Sequence, residues 1–225
     1  MKNAWLSETL HHGVQLKLRI EKSLYSCPNS SQKIKFLKTP RFGTALIMDG
    51  AIQTTEKDEF IYHEMMSHIP LFSHPKPENI LIIGGGDGGI LREVLKHKTV
   101  KKITLVEIEK KVIDYTKKYL PRICQDGFRS RKLELIIGDG AEFVQNKKNI
   151  YDAAIIDSPD PIGPAKVLFQ KKFYRGVSDI LKSKGIMVRQ SGSSFLQPKE
   201  LKDNYRTLSS IFKNNQVYLA AVPTY

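Results

Sequence analysis

The sequence predicts an α/β fold in which a small antiparallel β-region precedes a parallel sheet covered by helices on both faces. Before residue 56 the apolar residues alternate with period two. From residue 79 onward, short apolar runs alternate with helical periods. Val14, Leu16, Leu18 and Ile20 alternate, and so do Ile34 and Phe36, as in half-buried strands. Asp49-Gly50 separates apolar residues 45–48 from 51–53, and Asp-Gly tolerates the positive φ of a tight hairpin. Residues 58–68 read as a helix, with Ile61 and Met65, and Tyr62 and Met66, at i, i+4; the two methionines are assigned to the core.

The later runs are 80–83, 103–106, 133–137, 153–156, 185–188 and 217–221, each read as a strand. Helical periods fall between them at 90–98, 110–120, 169–182 and 198–212. The domains expected are therefore 1–56, an N-terminal β-strand domain, and 57–225, the sheet domain. Ligands of such sheets bind beyond the carboxyl ends of the strands, so the polar residues just after each run matter most.

Composition narrows the function classes. The chain has 225 residues, 40% of them hydrophobic, which fits a folded core and excludes disorder. Its 15 Gly and 11 Pro are not periodic, which excludes a collagen-like chain. No apolar run approaches the roughly 18 residues of a membrane span, and the start lacks a signal-peptide core. Cys27 and Cys124 have no metal or redox spacing, so a cytoplasmic protein without a metal is expected. The net charge of +13 is spread out: residues 1–41 and 140–225 each carry +6, with no arginine-rich stripe. Neither nucleic acid nor membrane is expected as a partner. His11, His12, His74 and His97 have no metal spacing and are read as surface residues.

Four runs in succession end on acids. After the first comes Gly84-Gly85-Gly86-Asp87-Gly88-Gly89, a loop that lets a ligand approach the backbone at a helix N-terminus. Asp87 would repel a pyrophosphate, so the loop is read as facing a cation or a nucleoside. After the second stands Glu107, placed to accept hydrogen bonds from ribose hydroxyls. Gly138-Asp139-Gly140 follows the third, suited to an adenine amino group or to a plain turn. Asp157-Ser158-Pro159-Asp160-Pro161 follows the fourth, two carboxylates stiffened by prolines. An acidic site in a basic protein implies a cationic substrate.

The residues at these ends, with their neighbours, resemble the polyamine aminopropyltransferases, a family that includes the spermidine synthases. The resemblance is carried by Asp49-Gly-Ala-Ile-Gln53, Asp58-Glu-Phe-Ile-Tyr-His-Glu-Met65, Leu81-Ile-Ile-Gly-Gly-Gly-Asp-Gly-Gly89 and Leu91-Arg-Glu-Val-Leu95. Gly138-Asp-Gly140, Asp157-Ser-Pro-Asp-Pro161 and Val222-Pro-Thr-Tyr225 complete it. It implies a small β-domain on a Rossmann-like, methyltransferase-type domain and a homo-oligomer. The reaction implied is transfer of an aminopropyl group from decarboxylated S-adenosylmethionine, a co-substrate, to putrescine. The products are spermidine and methylthioadenosine, and no further cofactor is implied. Gln32, Glu107, Asp139, Gly140 and Pro164 match nucleoside-binding positions of the family. Asp87 matches the acid that binds the donor's ammonium, with His63 helping to build that site. Tyr62, Asp160 and Tyr225 match positions lining the diamine channel, and Asp157 matches the catalytic acid/base.

The chemistry fits those residue types. A primary ammonium with a Lys-like pKa is neutral only about once in 2,500 at pH 7, so a carboxylate must take its proton. Asp87 would repel the carboxylate of ordinary S-adenosylmethionine by about 4 kcal/mol at 4 Å and an effective dielectric near 20, which disfavours methyl donation.

The family normally continues past the position of Tyr225, and its sheet inserts a final antiparallel strand between the fifth and sixth. The sheet domain is therefore expected to lack that strand, and Ser31 stands where the family often has Tyr. The alternatives carried forward are a diamine N-methyltransferase and a truncated, non-catalytic homologue. Cadaverine, agmatine and spermidine remain alternative acceptors.

Overall fold

The computed structural model describes residues 4–27, 33–158 and 163–224. Strands β1 (Ala4–His11) and β2 (Val14–Ile20) form an antiparallel hairpin of alternating exposure. Strands β3 (Lys22–Cys27), β4 (Ile34–Thr39), β5 (Gly43–Met48) and β6 (Ala51–Thr55) form a second antiparallel sheet in that order. Asp49 and Gly50 take φ of 52° and 94° at the β5–β6 turn, the conformation that Asp-Gly predicts.

The remaining chain alternates as expected. It runs through α1 (Glu59–Ser73), β7 (Asn79–Gly84), α2 (Gly89–Leu95), β8 (Lys102–Glu107), α3 (Lys110–Tyr119) and α4 (Pro121–Cys124). There follow β9 (Leu133–Ile137), α5 (Gly140–Phe143), β10 (Tyr151–Asp157), a 3-10 turn (Gly163–Phe169), α6 (Lys171–Ile180), β11 (Leu181–Arg189) and α7 (Pro198–Ser209). The five later strands form one parallel sheet in the order β11-β10-β7-β8-β9. The α/β class and the covered parallel sheet are as the sequence predicts. No helix among the described residues is long and apolar enough to cross a membrane.

Central β7 shows why the run at 80–83 is apolar throughout. Ile80 and Ile82 pack with Met66, Leu71, Ile90 and Val94 on one face. Leu81 and Ile83 pack with Val144, Tyr174 and Val177 on the other. A strand buried on both faces loses its alternation. The N-terminal sheet is joined on through Ile34, Phe36 and Leu46, which pack against Val112, Leu120 and Ile123 of α3 and α4.

The chain enters the parallel sheet at its middle, runs out to β9 and returns on the other side at β10. This leaves a crevice beyond the carboxyl ends of β7 and β10, where strand order reverses. Register places Asp157 directly opposite Gly84 there.

The expected strand at 217–221 does not form. Val217 is 54% and Leu219 72% exposed, and β11 has a neighbour on one side only among the described residues. An apolar run supplies propensity for a strand, but its N–H and C=O groups also need a ladder partner. The segment is instead tied to α1. Tyr218 donates its hydroxyl to the Met65 carbonyl at 2.9 Å. Buried Thr224 donates its N–H and hydroxyl to Asp58 Oδ2 at 3.1 and 2.7 Å. Asp58 Oδ1 accepts from the Thr55 hydroxyl at 2.5 Å. Asp58 thus links β6, the start of α1 and the end of the chain.

Ile82 is fully buried in the sheet centre, so Ile82→Ala is expected to destabilise the protein by about 2 to 5 kcal/mol. Urea denaturation of both proteins checks this; a loss well under 1 kcal/mol would contradict the core placement.

Candidate active site

The crevice is lined from both sides by residues the fold forces together. Tyr62 and His63 project from α1, Asp87 from the loop after β7, Glu107 from the end of β8 and Asp157 from the end of β10. Tyr62 donates its hydroxyl to Asp157 Oδ1 at 2.6 Å. His63 is 1% exposed; its Nε2 lies 3.2 Å from Asp87 Oδ2 and its Nδ1 2.5 Å from Glu59 Oε2. Asp87 Oδ1 accepts the Gly89 amide at 2.9 Å, which fixes the carboxylate at the helix start. One nitrogen of His63 and one oxygen each of Asp87 and Asp157 lie within 4.8 Å of one another. The two carboxylates of this set can hold one ammonium.

The glycines of the loop make this proximity possible in a way the sequence does not reveal. A Cβ on Gly89 would lie 2.2 Å from the His63 ring, and one on Gly84 would lie 1.8 Å from the Asp157 carbonyl oxygen. Gly84 also takes a φ of +82°. Both positions admit protein atoms that build the site.

Electrostatics set these groups apart from ordinary surface acids. Burial, then the Asp87 charge, raises the Asp157 carboxyl to about 6, although His63 and Tyr62 act in the opposite sense. Burial would lower His63, but Asp87 and Glu59 outweigh it and raise the ring to about 10. Burial would raise Asp87; the His63 charge and the Gly89 amide hold it below the usual carboxylate range. Glu107 is raised to about 7 by burial, against amide hydrogen bonds from Glu109, Gly86 and Ile108.

The remaining expected residues are placed less completely. Asp139 is the N-cap of α5, its Oδ1 accepting the Ala141 amide at 2.6 Å, and Gly140 is the first residue of that helix. The plain helix-start role is therefore filled. Gln32, Asp160 and Tyr225 lie outside the described residues, and so does the side chain of Pro164 in the 3-10 turn.

Sequence reasoning missed the support behind His63. The Arg92 guanidinium makes a two-pronged contact with Glu59 (Nη1–Oε1 and Nη2–Oε2, both 2.9 Å). It also donates to Glu93 Oε1 at 2.7 Å and to the Ile123 carbonyl at 2.8 Å. The i, i+4 spacing of Glu59 and His63 was the available signal. The surface assignment of His74 and His97 is corrected: each is 9% exposed. His97 Nε2 faces His68 Nδ1 at 2.9 Å, packed under Phe72.

Comparison with known proteins extends over the whole chain. Residues 59–225 match the spermine/spermidine synthase domain and residues 4–56 the spermidine synthase tetramerisation domain. The polyamine aminopropyltransferase 1 of Bacillus cereus is 46% identical over 223 residues, covering 98% of this chain and 80% of that one. The polyamine aminopropyltransferase of Ruegeria sp. is 43% identical over 224 residues, covering 100% and 79%. A solved spermidine synthase in complex with the transition-state analogue AdoDATO superposes with a TM-score of 0.95 at 40% identity, covering 100% and 77%. The spermidine synthase of Thermotoga maritima gives 0.91 at 39%, covering 100% and 76%.

Ionised Asp157 is a burden on the fold. Its pKa of about 6 lies above the ordinary 3.8, so ionisation disfavours the folded state above pH 6, and the penalty fades as pH falls toward 3.8. The gap corresponds to roughly 3 kcal/mol. Asp157→Asn, which keeps an acceptor for Tyr62, is expected to raise the melting temperature at pH 8 and to lose that gain near pH 4. Equal effects at both pH values would contradict the shift.

Proposed function

We propose a function for this chain on a premise the matches establish: it belongs to the spermine/spermidine synthase family. The chain is an aminopropyltransferase of the spermidine synthase type, taking decarboxylated S-adenosylmethionine as donor and putrescine as acceptor. The observation that carries this reading is the meeting of Asp87 and Asp157 across the crevice, with Tyr62 on one and His63 on the other.

Asp87 receives the donor's ammonium, and Glu107 holds the ribose hydroxyls beside Gly86. With Asp139 and Gly140 at the start of α5, and Gln32 and Pro164 by family position, these residues place the nucleoside. The acceptor amine attacks the carbon next to the sulfonium. Its lone pair forms the new N–C bond, the C–S pair leaves with methylthioadenosine, and the amine proton passes to Asp157. The sulfonium is already a good leaving group, so the protein chiefly orients the reactants and frees the amine. An acid raised to about 6 is a stronger base than an ordinary carboxylate and is still ionised at neutral pH. Tyr62 orients it, and by family position Asp160 and Tyr225 line the diamine path.

The N-terminal match supports a homo-oligomer, and two free cysteines fit a reducing cytoplasm. Neither nucleic acid nor membrane is a partner in this reading. The alternative of a non-catalytic homologue is favoured by one observation: residues 217–221 form no strand, and β11 is paired on one side only among the described residues.

Methylthioadenosine release by the purified chain, with decarboxylated donor plus putrescine, tests the function. Release with that donor and none with ordinary S-adenosylmethionine is expected. Methyl transfer to the diamine instead would favour the methyltransferase reading, and a folded chain that releases nothing would favour the non-catalytic one. Asp157→Asn is expected to lose at least about 10²-fold in kcat. For the wild type, kcat/KM should fall on its acid side through about pH 6, as Asp157 takes up a proton. A flat profile down to pH 5 would remove Asp157 as the base.

A further inference from the structure

Both ring nitrogens of His63 face carboxylate oxygens, Glu59 Oε2 at 2.5 Å and Asp87 Oδ2 at 3.2 Å. Ionised carboxylates only accept hydrogen bonds, so with both of them ionised each nitrogen carries a proton and the ring is a cation. It is also immobile: Gly89 lies against the ring with no room for a Cβ, and Glu59 is gripped by both prongs of Arg92. Arg92 is itself held by Glu93 and the Ile123 carbonyl.

We propose that Glu59 and Arg92 are positioning residues that keep His63 as a resident cation, so that the reacting cluster of His63, Asp87 and Asp157 has room for one ammonium and not two. The inference rests on the aminopropyl-transfer reading and explains a conflict within it. Two bare carboxylates would hold the donor ammonium, but they would also stabilise the acceptor as an ammonium and oppose the loss of its proton. With the His63 imidazolium beside Asp87, and Arg92 offsetting Glu59, the cluster carries a net charge of −1. The donor ammonium neutralises it, and the acceptor nitrogen meets no surplus negative charge to keep it protonated. Asp157 then takes the proton from an amine that gains nothing by retaining it.

Among the described residues, the titratable and charged groups around His63 come from four elements. Glu59 and Tyr62 lie on its own helix, Asp87 on the loop before α2, Asp157 at the end of β10 and Arg92 behind Glu59 on α2. Cys124 of α4 lies against Gly88 of the same loop; burial, then its neighbour Asp87, pushes its thiol up, so it brings no charge. The directions agree with the geometry, His63 being raised and Asp87 lowered.

The test uses the full chain labelled with ¹⁵N-histidine, the His63 signals being assigned by comparison with His63→Gln. His63 is expected to stay doubly protonated from pH 6 to 9 in the wild type. In Glu59→Gln, which keeps an acceptor for Nδ1 but removes the charge, the ring should titrate at least one pH unit lower. In Arg92→Lys, which keeps the charge but loses the two-pronged grip, it should move less. In turnover assays Glu59→Gln should shift the amine-deprotonation limb of kcat at least one unit toward higher pH. It should lower kcat at pH 7 about 10-fold and leave methylthioadenosine affinity unchanged, because that product lacks the ammonium.

A wild-type His63 that titrates below pH 7 would overturn the proposal. So would a Glu59→Gln enzyme with an unshifted limb and equally weakened donor and product. If Glu59→Gln does not fold, Arg92→Lys carries the comparison, and the wild-type spectra still give the charge state of His63. They also need no turnover, so a chain without aminopropyltransferase activity would refute the functional reading while the charge state of His63 is still read directly.

Discussion

A buried histidine with a carboxylate on either side is the contact around which the crevice is organised. His63 fixes Asp87 from the helix side, Asp87 fixes the first amide of α2, and α2 returns Arg92 to Glu59 on the helix that carries His63. The loop closes on itself through four side chains and one amide. Within such a ring, removal of one partner leaves a buried charge uncompensated, which is far costlier than the pair is worth as a whole. The absence of a side chain at Gly89 is as much a part of this arrangement as the charges.

The same crevice works against the fold that carries it. Asp157 and Glu107 are both held where their ionised forms are disfavoured, at about 6 and about 7. Stability alone would place a neutral residue at either strand end. Their presence at the topological switch point, with Asp87 between them in the sheet order, is the pattern of a site built to attract positive charge and hydroxyl donors. The surface beyond it is basic, with the +13 excess spread along the chain, so the crevice is a local reversal of sign.

How much of this was legible depended on what each signal encodes. Strands β7, β8 and β10 and the acids after them were readable because burial on both faces produces near-continuous apolar runs, and the break in each run marks the crevice. Edge strand β9 was readable from its apolar residues alone, although three of its five residues are exposed. Strand β1 was not, because Glu8 takes the inward place between Leu6 and Leu10 and Trp5 points outward. The run at 217–221 has strand propensity but no neighbour, and pairing is a property of the whole sheet. Arg92 and Glu93 were the largest omission. On sequence they read as the polar face of a helix, yet every residue of α2 except Leu95 is buried, so both charges are inside and must find each other. Pattern reveals which residues are apolar, but it does not reveal which charged residues have been turned inward.

Asp58 has a further consequence. It stands at the N-cap position of α1 but makes no capping bond, because its oxygens are taken by Thr55 from the N-terminal sheet and Thr224 from the chain's far end. The root of the helix bearing Glu59, Tyr62 and His63 is thus shared, through one carboxylate, between the strand just before it and a segment 166 residues away. Loosening of either segment reaches the same anchor. Thr224 and the helix bearing Tyr62 and His63 are therefore tied through the same side chain.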